Sequence, residues 1–141
     1  TLESMVALAV LMPIVASMGG NAGTQSLTVV VRQLALGDIS QGDAMRIIKK
    51  EVVISLMNGF FFALIMGAVA AFWFDTGMLG VVIALSMIIN LFMAGFFGAA
   101  IPLFLKKMDV DPAIGSTVIL TTVTDVVGFF SFLALATYIL L

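Results

Sequence analysis

Residues Ile114–Leu141 read IGSTVILTTVTDVVGFFSFLALATYILL, an apolar run with a single charged residue, Asp125. A helix that spans a membrane needs about 20 apolar residues, and this run is longer. A carboxylate near the centre of such a helix costs about 2.5–3.5 kcal/mol on insertion scales, so acids at that depth face a protein interior, a water path or a cation. The run therefore predicts a membrane helix that carries a functional acid.

The composition is that of an integral membrane protein. Of the 141 residues, 62% are hydrophobic and 10% are charged, whereas about 25% of the residues in a soluble domain are charged. The chain contains no Cys and no His, which excludes the thiolate and imidazole ligands that zinc, copper and iron prefer. A metal bound here must be a hard ion with oxygen ligands. The sequence contains no phosphate-binding loop, catalytic triad or carboxylate pair, so we predict that the chain is not an enzyme.

Four apolar segments are long enough to cross a bilayer, at about residues 5–31, 52–74, 79–105 and 114–141. Helix is the expected state, because an open strand leaves its backbone groups unsatisfied in lipid. We therefore predict an all-α fold, a polytopic membrane helical bundle of four transmembrane helices. The bundle is expected to form one transmembrane domain over residues 1–141.

The basic residues predict the orientation of this bundle. All six lie in the first and third gaps between the segments, and they are Arg32, Arg46, Lys49, Lys50, Lys106 and Lys107. The positive-inside rule makes these gaps cytoplasmic. Both chain ends of this multi-pass protein of the cell (inner) membrane are then non-cytoplasmic. Because an N-terminus on that side without a signal peptide implies an upstream helix, we expect the chain to be the C-terminal part of a longer protein.

The cytoplasmic gap at residues 37–51 has two interpretations. One is a short interfacial helix that begins near Ser40 or Asp43, with Ile47 on an apolar side and Lys50 on a basic side. The other is a solvated loop with anchoring charges. The sequence leaves both interpretations open.

Two polar stripes are predicted to lie at the same depth. The first and last segments each carry polar or small residues every three or four positions, which places them on one helix face. These residues are Ser17, Gly20, Asn21, Thr24 and Thr28 in the first segment and Thr117, Thr121, Thr124, Asp125, Gly128 and Ser131 in the last. Asn21 lies about 16 Å from Arg32 along a helix, and Asp125 about 16 Å from Ile114. Packing also uses Thr and Gly, but it does not need the charge of Asp125.

The cluster Gly-Gly-Asn-Ala-Gly at residues 19–23 needs an explanation, because each glycine inside a helix costs about 1 kcal/mol relative to alanine. Either exposed backbone carbonyls line a water-filled path, or another helix packs closely on the small residues. We expect Gly20→Val to abolish activity or assembly and Gly67→Val to be milder. Asn58 and Asn90 are expected to form interhelical hydrogen bonds.

Two stretches resemble a known family. Residues 12–26, MPIVASMGGNAGTQS, are similar to the signature of the MgtE-type magnesium transporters, and residues 121–128, TTVTDVVG, resemble the last membrane helix of that family. With the loop lengths, the resemblance covers essentially the whole chain. Family members have five membrane helices after cytosolic regulatory domains. This chain would then correspond to the C-terminal membrane domain without its first membrane helix and without the regulatory domains.

The resemblance implies magnesium (divalent cation) transport across the membrane through a pore at a homodimer interface, with Mg²⁺ as the transported ion. Asp125 would be the metal-binding acid, which holds hydrated Mg²⁺ through its waters. The pore-lining residues would be Gly20, Asn21, Thr24, Thr117, Thr121 and Gly128. The family pattern has an asparagine where this chain has Thr117, so the role of that position stays open. The expected partners are a second copy of the chain, membrane lipid and divalent cations, with no nucleic acid.

Two other functions stay open at the level of sequence. The first is a proton-coupled small-solute carrier that uses Asp125 as the proton site. The second is a structural membrane subunit in which Asp125 pairs with a basic residue of another protein. A divalent-dependent flux without a proton gradient separates a channel from the carrier, and a structural subunit gives no flux.

The predicted orientation can be tested by labelling, because the chain has no cysteine of its own. Single cysteines that replace Gly42 and Gly77 should react with a membrane-impermeant maleimide from opposite sides of the membrane, since they lie in alternate gaps. Labelling both positions from the same side would contradict the four-span topology.

Overall fold

A computed structural model describes residues 2–39 and 41–140. Its main elements are the helices α1 (Leu2–Ala35), α2 (Ala44–Trp73), α3 (Gly77–Lys107) and α4 (Ser116–Ile139). Each has the length and the apolar composition to cross a membrane. No strand occurs in the described part of the chain. The prediction of an all-α bundle with four membrane helices is confirmed.

The helix α3 lies at the centre of the bundle and packs against each of the other three helices. Its glycines allow the close approach of α2: a Cβ on Gly80 would lie 2.5 Å from the carbonyl oxygen of Gly67, and a Cβ on Gly95 would overlap Ser55. Since Gly80 is near the start of α3 and Gly67 near the end of α2, the two helices are antiparallel. The side of α2 that faces away from α3 exposes large apolar residues such as Phe60 and Phe72, as a surface in contact with lipid requires.

The helices α1 and α4 pack on each other and on α3. Leu120 of α4 lies against Gly23 of α1, and Gly128, two turns later on α4, lies against Ala16, two turns earlier on α1. The helices α1 and α4 are therefore antiparallel. Gly98 near the end of α3 also meets Gly23. Successive helices therefore alternate in direction, and the basic residues, all exposed, lie at one end of the bundle. This arrangement agrees with the predicted topology, whose orientation in the membrane stays a prediction.

In residues 37–51 the structure has the helix start near Asp43 that one interpretation proposed, but this helix is not a separate interfacial one. A short 3-10 helix at Gln41–Asp43 leads directly into α2, which begins at Ala44 and continues without a break. The first two turns of α2 already belong to the bundle, because Ile47 packs with Val30 and Ala99 and Glu51 is also buried. The basic residues of this segment are thus part of a membrane helix, not of a separate interfacial helix or a loop.

The start of α2 has limited capping. Asp43 occupies the N-cap position without a side-chain capping bond to the helix. Its carboxylate forms an ion pair with Arg46, with 3.2 Å between Oδ1 and Nη2. The alternative start at Ser40 lies outside the described residues. Burial of the apolar side of α2 therefore contributes more to this helix start than the cap does.

The glycine cluster of α1 lies in a continuous helix. A Cβ on Gly19 would overlap the side-chain amide of Asn90 on α3, and a Cβ on Gly23 would lie 3.0 Å from both δ carbons of Leu120 on α4. Gly20 is less confined, because a Cβ on this residue would lie 3.8 Å from its nearest neighbour, Oγ1 of Thr124. Close helix packing therefore explains Gly19 and Gly23, and it does not account for Gly20.

Within one chain, the packing confines Gly67 more than Gly20, while the expected loss of activity or assembly in Gly20→Val stays a prediction. A Cβ on Gly67 would lie 3.0 Å from the carbonyl oxygen of Gly80 and 3.3 Å from Cβ of Ala84. Although α2 has no polar stripe, it packs on α3 through small residues. A larger residue is therefore accommodated more easily at Gly20 than at Gly67.

Gly19→Ala and Gly20→Ala form a matched pair for testing this packing. Because the new methyl group at residue 19 must displace Asn90, we expect Gly19→Ala to lower the free energy of unfolding by about 1–3 kcal/mol. Gly20→Ala should be neutral or stabilise the helix by up to about 1 kcal/mol. Thermal unfolding in detergent measures both effects, and equal melting temperatures for the two variants would contradict the packing described here.

Candidate functional site

Asn21 and Asp125 lie at the same level of the bundle. Their chain neighbours Gly20 and Thr124 face each other where α1 crosses α4, with 3.8 Å between a Cβ on Gly20 and Oγ1 of Thr124. The prediction that the two stripes meet at one level is therefore confirmed. Both Asn21 and Asp125 are exposed on the outside of the chain rather than buried between its helices.

The carboxylate of Asp125 has no partner within the described part of the chain, where it forms neither a hydrogen bond nor an ion pair. The basic residues are found at the ends of the helices, while Asp125 lies near the middle of α4. Exposure of such a charge to hydrocarbon is unfavourable by several kcal/mol. The exposed side of Asp125 must therefore meet water, a cation or another protein surface in the membrane.

Threonine hydroxyls flank this level on both helices and donate to carbonyl oxygens of their own helix. Thr24 donates to Gly20 over 2.8 Å, and Thr121 donates to Thr117 over 2.9 Å. A hydroxyl that donates its proton in this way keeps lone pairs that can accept hydrogen bonds. Thr24 and Thr121 are both half-buried, so these oxygens border the exposed surface. They can accept hydrogen bonds from water molecules around a cation.

The stripe predicted on α4 divides into two parts. Thr117 and Asp125 are exposed, whereas Thr124, Gly128 and Ser131 are buried in the bundle. A Cβ on Gly128 would lie 3.2 Å from Cα of Ala16 and 2.9 Å from Nδ2 of Asn90, so this glycine permits contacts within the chain. The structure thus separates Gly128 from the exposed surface that carries Asp125. The pore-lining role of Gly128 stays a prediction.

Asn90 joins α3 to α1, as the sequence predicted. Its Nδ2 donates to the carbonyl oxygen of Val15 over 2.9 Å, and the side chain is completely buried. Asn58, by contrast, is exposed on α2. Sequence reasoning missed the connection between Asn90 and the two glycines that enclose it, Gly19 and Gly128. No sequence signal marks this connection, because it depends on how three helices are rotated about their axes.

The described residues contain no large acidic cluster. No three Asp or Glu side chains come close enough together there to hold a metal ion. Asp109 and Asp111 instead line a cavity of about 350 Å³ with Lys106 at the end of the bundle that carries the basic residues. Each chain therefore brings one carboxylate, that of Asp125, to the middle of the membrane.

Known proteins resemble this chain over most of its length. It is 36% identical over 136 residues to the magnesium transporter MgtE of Bacillus subtilis, which covers 96% of this chain and 30% of that protein. It is 34% identical over 140 residues to the magnesium transporter MgtE of Thermus thermophilus, which covers 99% of this chain and 31% of that protein. For the Enterococcus faecalis magnesium transporter MgtE, the identity is 36% over 127 residues, with coverages of 87% and 28%.

The chain thus spans less than a third of the length of these curated relatives. The family model named MgtE, described as a divalent cation transporter, matches residues 12–135. The match includes the glycine cluster of α1 and Asp125 of α4, and the four apolar helices agree with a multi-pass membrane protein. The chain therefore belongs to the MgtE family of divalent cation transporters.

Proposed function

We propose that the protein transports Mg²⁺ across the membrane through a pore at the interface between two copies of the chain. The observation that carries this proposal is the exposed carboxylate of Asp125, at the level of Asn21 near the middle of the bundle. The relatives from Bacillus subtilis and Thermus thermophilus are named magnesium transporters, which supports the choice of ion.

A second copy of the chain is the partner that this surface needs. Beside Asp125, the exposed residues of α1 include Ser17, Asn21 and Gln25, so polar groups continue along the outside of the chain. In lipid such a surface is unfavourable, and ionisable residues in membrane helices almost always face a bundle interior or a water-filled cavity. A twofold axis beside α1 and α4 encloses both polar surfaces and brings together two Asp125 carboxylates.

The charge of this pair of carboxylates matches that of Mg²⁺. Two ionised Asp125 side chains carry a charge of −2, which one divalent cation balances, whereas one monovalent cation leaves a net negative charge in a medium of low dielectric constant. The Asp125 pair therefore attracts divalent cations in preference to monovalent ones.

The oxygen atoms around Asp125 are suited to a Mg²⁺ ion that keeps its water molecules. Mg²⁺ loses its water reluctantly and is usually held by one or two carboxylates together with retained waters. The amide of Asn21 and the hydroxyl oxygens of Thr24 and Thr121 accept hydrogen bonds from those waters. Thr117 and Gly20 border the same surface and complete the proposed pore lining at the exposed side of each chain.

Transport is tested with Asp125→Asn, which keeps the size of the side chain and removes its charge. We expect Mg²⁺ flux into liposomes to fall at least about tenfold, a change of about 1.4 kcal/mol in the barrier. The matched control is Asp75→Asn, which removes the same charge from the exposed turn between α2 and α3 and should leave the flux unchanged.

Binding is measured on the same proteins by thermal unfolding with and without Mg²⁺. A ligand at 100 times its Kd stabilises the folded state by about 2.7 kcal/mol. The wild type should gain more from Mg²⁺ than Asp125→Asn does, and an identical gain would show that Asp125 does not hold the ion. Flux that depends on a proton gradient would instead indicate the carrier, and a wild type without flux would indicate a structural subunit.

A further inference from the structure

Asn90 is enclosed by the two helices that carry the polar stripes. It extends from α3 between Gly19 of α1 and Gly128 of α4, and its side chain is completely buried. Nδ2 donates to the carbonyl oxygen of Val15 over 2.9 Å. A carbonyl can only accept, so the amide nitrogen must face Val15. The orientation of this amide is therefore determined by its partner.

Stability alone does not explain an asparagine at this position. Among the described residues, Oδ1 of Asn90 is the one buried side-chain oxygen or nitrogen that lacks a hydrogen-bond partner. An amide that is only half satisfied stabilises a packed interior less well than an apolar side chain that fills the same space. What the amide adds is direction, because a hydrogen bond to one carbonyl permits one register of two helices, as buried asparagines do in coiled coils.

The register that Asn90 determines is that of the proposed ion site. Gly19 precedes Asn21 by two residues, which is about 3 Å along the helix axis. Gly128 follows Asp125 by three residues, which is about 4.5 Å. A shift of α1 by one residue would move Asn21 by about 1.5 Å and rotate it by about 100°. The rotation would turn Asn21 away from the side of the bundle that carries Asp125.

We propose that Asn90 is a positioning residue for ion binding: its bond to Val15 holds α1 in the register that places Asn21 level with Asp125. This inference rests on the proposed function. Asn90 itself is buried between helices and acts through the placement of α1. Its contribution should therefore appear in the apparent affinity for Mg²⁺ more than in the stability of the fold.

The test replaces Asn90 by leucine, which has the same number and branching of side-chain heavy atoms, a larger volume and no polar group. In liposomes, the Mg²⁺ concentration that gives half-maximal flux should rise at least about tenfold, since displacements near 1 Å at a site have effects of up to about 100-fold. The melting temperature in detergent should stay the same or rise. If leucine does not fit, Asn90→Ala removes the amide without adding bulk. Its effect is measured in the same way, as the half-maximal Mg²⁺ concentration of the variant divided by that of the wild type.

Ser86→Ala is the matched control. Ser86 lies one turn before Asn90 on α3, is equally buried, and donates to the carbonyl of Val82 in its own helix over 2.7 Å. Its removal takes away a buried polar group without breaking a bond between helices. The half-maximal Mg²⁺ concentration should therefore not change.

A double-mutant cycle separates positioning from a general structural role. If Asn90 acts through the site around Asp125, Asn90→Leu should have little effect on the half-maximal concentration in the Asp125→Asn background. A paired-cysteine variant, Gly20→Cys with Thr124→Cys, reports the register directly, and Asn90→Leu should slow formation of its disulfide.

The outcomes distinguish this inference from the proposed function. If Asp125→Asn impairs flux while Asn90→Leu leaves the half-maximal concentration unchanged, the positioning role is overturned and the transport proposal stands. The positioning role is likewise overturned if Asn90→Leu has an equal effect in both backgrounds. If Asp125→Asn itself has no effect on flux, the transport proposal and the positioning role are both overturned.

Discussion

The lack of water in the hydrocarbon core of a membrane is the constraint on which this structure depends. Polar groups at that depth must find partners inside the protein, because lipid offers none. The chain meets this requirement for its hydroxyls by bonding them to carbonyls of their own helix, as Thr24 and Ser86 do, and for Asn90 by a bond between helices. Asp125 has no partner of either kind in the described part of the chain. The function of the protein therefore depends on what this carboxylate contacts in the membrane.

Small residues give the bundle its shape under the same constraint. Since lipid tails are as apolar as leucine, helices in a membrane associate through close packing rather than through the hydrophobic effect. Glycines on α3 allow this approach on two sides, with Gly80 and Gly95 against α2 and Gly98 against α1. The central helix therefore supports both α1 and α2. The two helices with polar stripes, α1 and α4, pack on α3 and on each other.

Much of this arrangement was predictable from the sequence. The four apolar segments determine the fold class, and simple helix lengths place Asn21 and Asp125 at one level, because both quantities depend only on distance along the chain. Sequence periodicity could not distinguish Gly128, which is buried, from Asp125, which is exposed, because residues on one stripe can still differ in which helix they face. The continuity of this helix start with the second membrane segment was missed for a similar reason: Ile47 and Glu51 are buried by contacts with distant parts of the chain, while the charges around them suggest a surface.

The early start of α2 has a consequence for how the protein meets lipid. With 30 residues, this helix is about 45 Å long, compared with about 30 Å for the hydrocarbon core of a bilayer. Because its basic residues lie at its start, the predicted orientation places the first two turns in the layer of lipid headgroups. There the exposed Arg46, Lys49 and Lys50 come within reach of lipid phosphates, each such residue contributing about 1 kcal/mol at an anionic membrane surface. In the predicted orientation, the helix that packs farthest from the polar stripes thus carries three of the six basic residues that can anchor the bundle to the cytoplasmic leaflet.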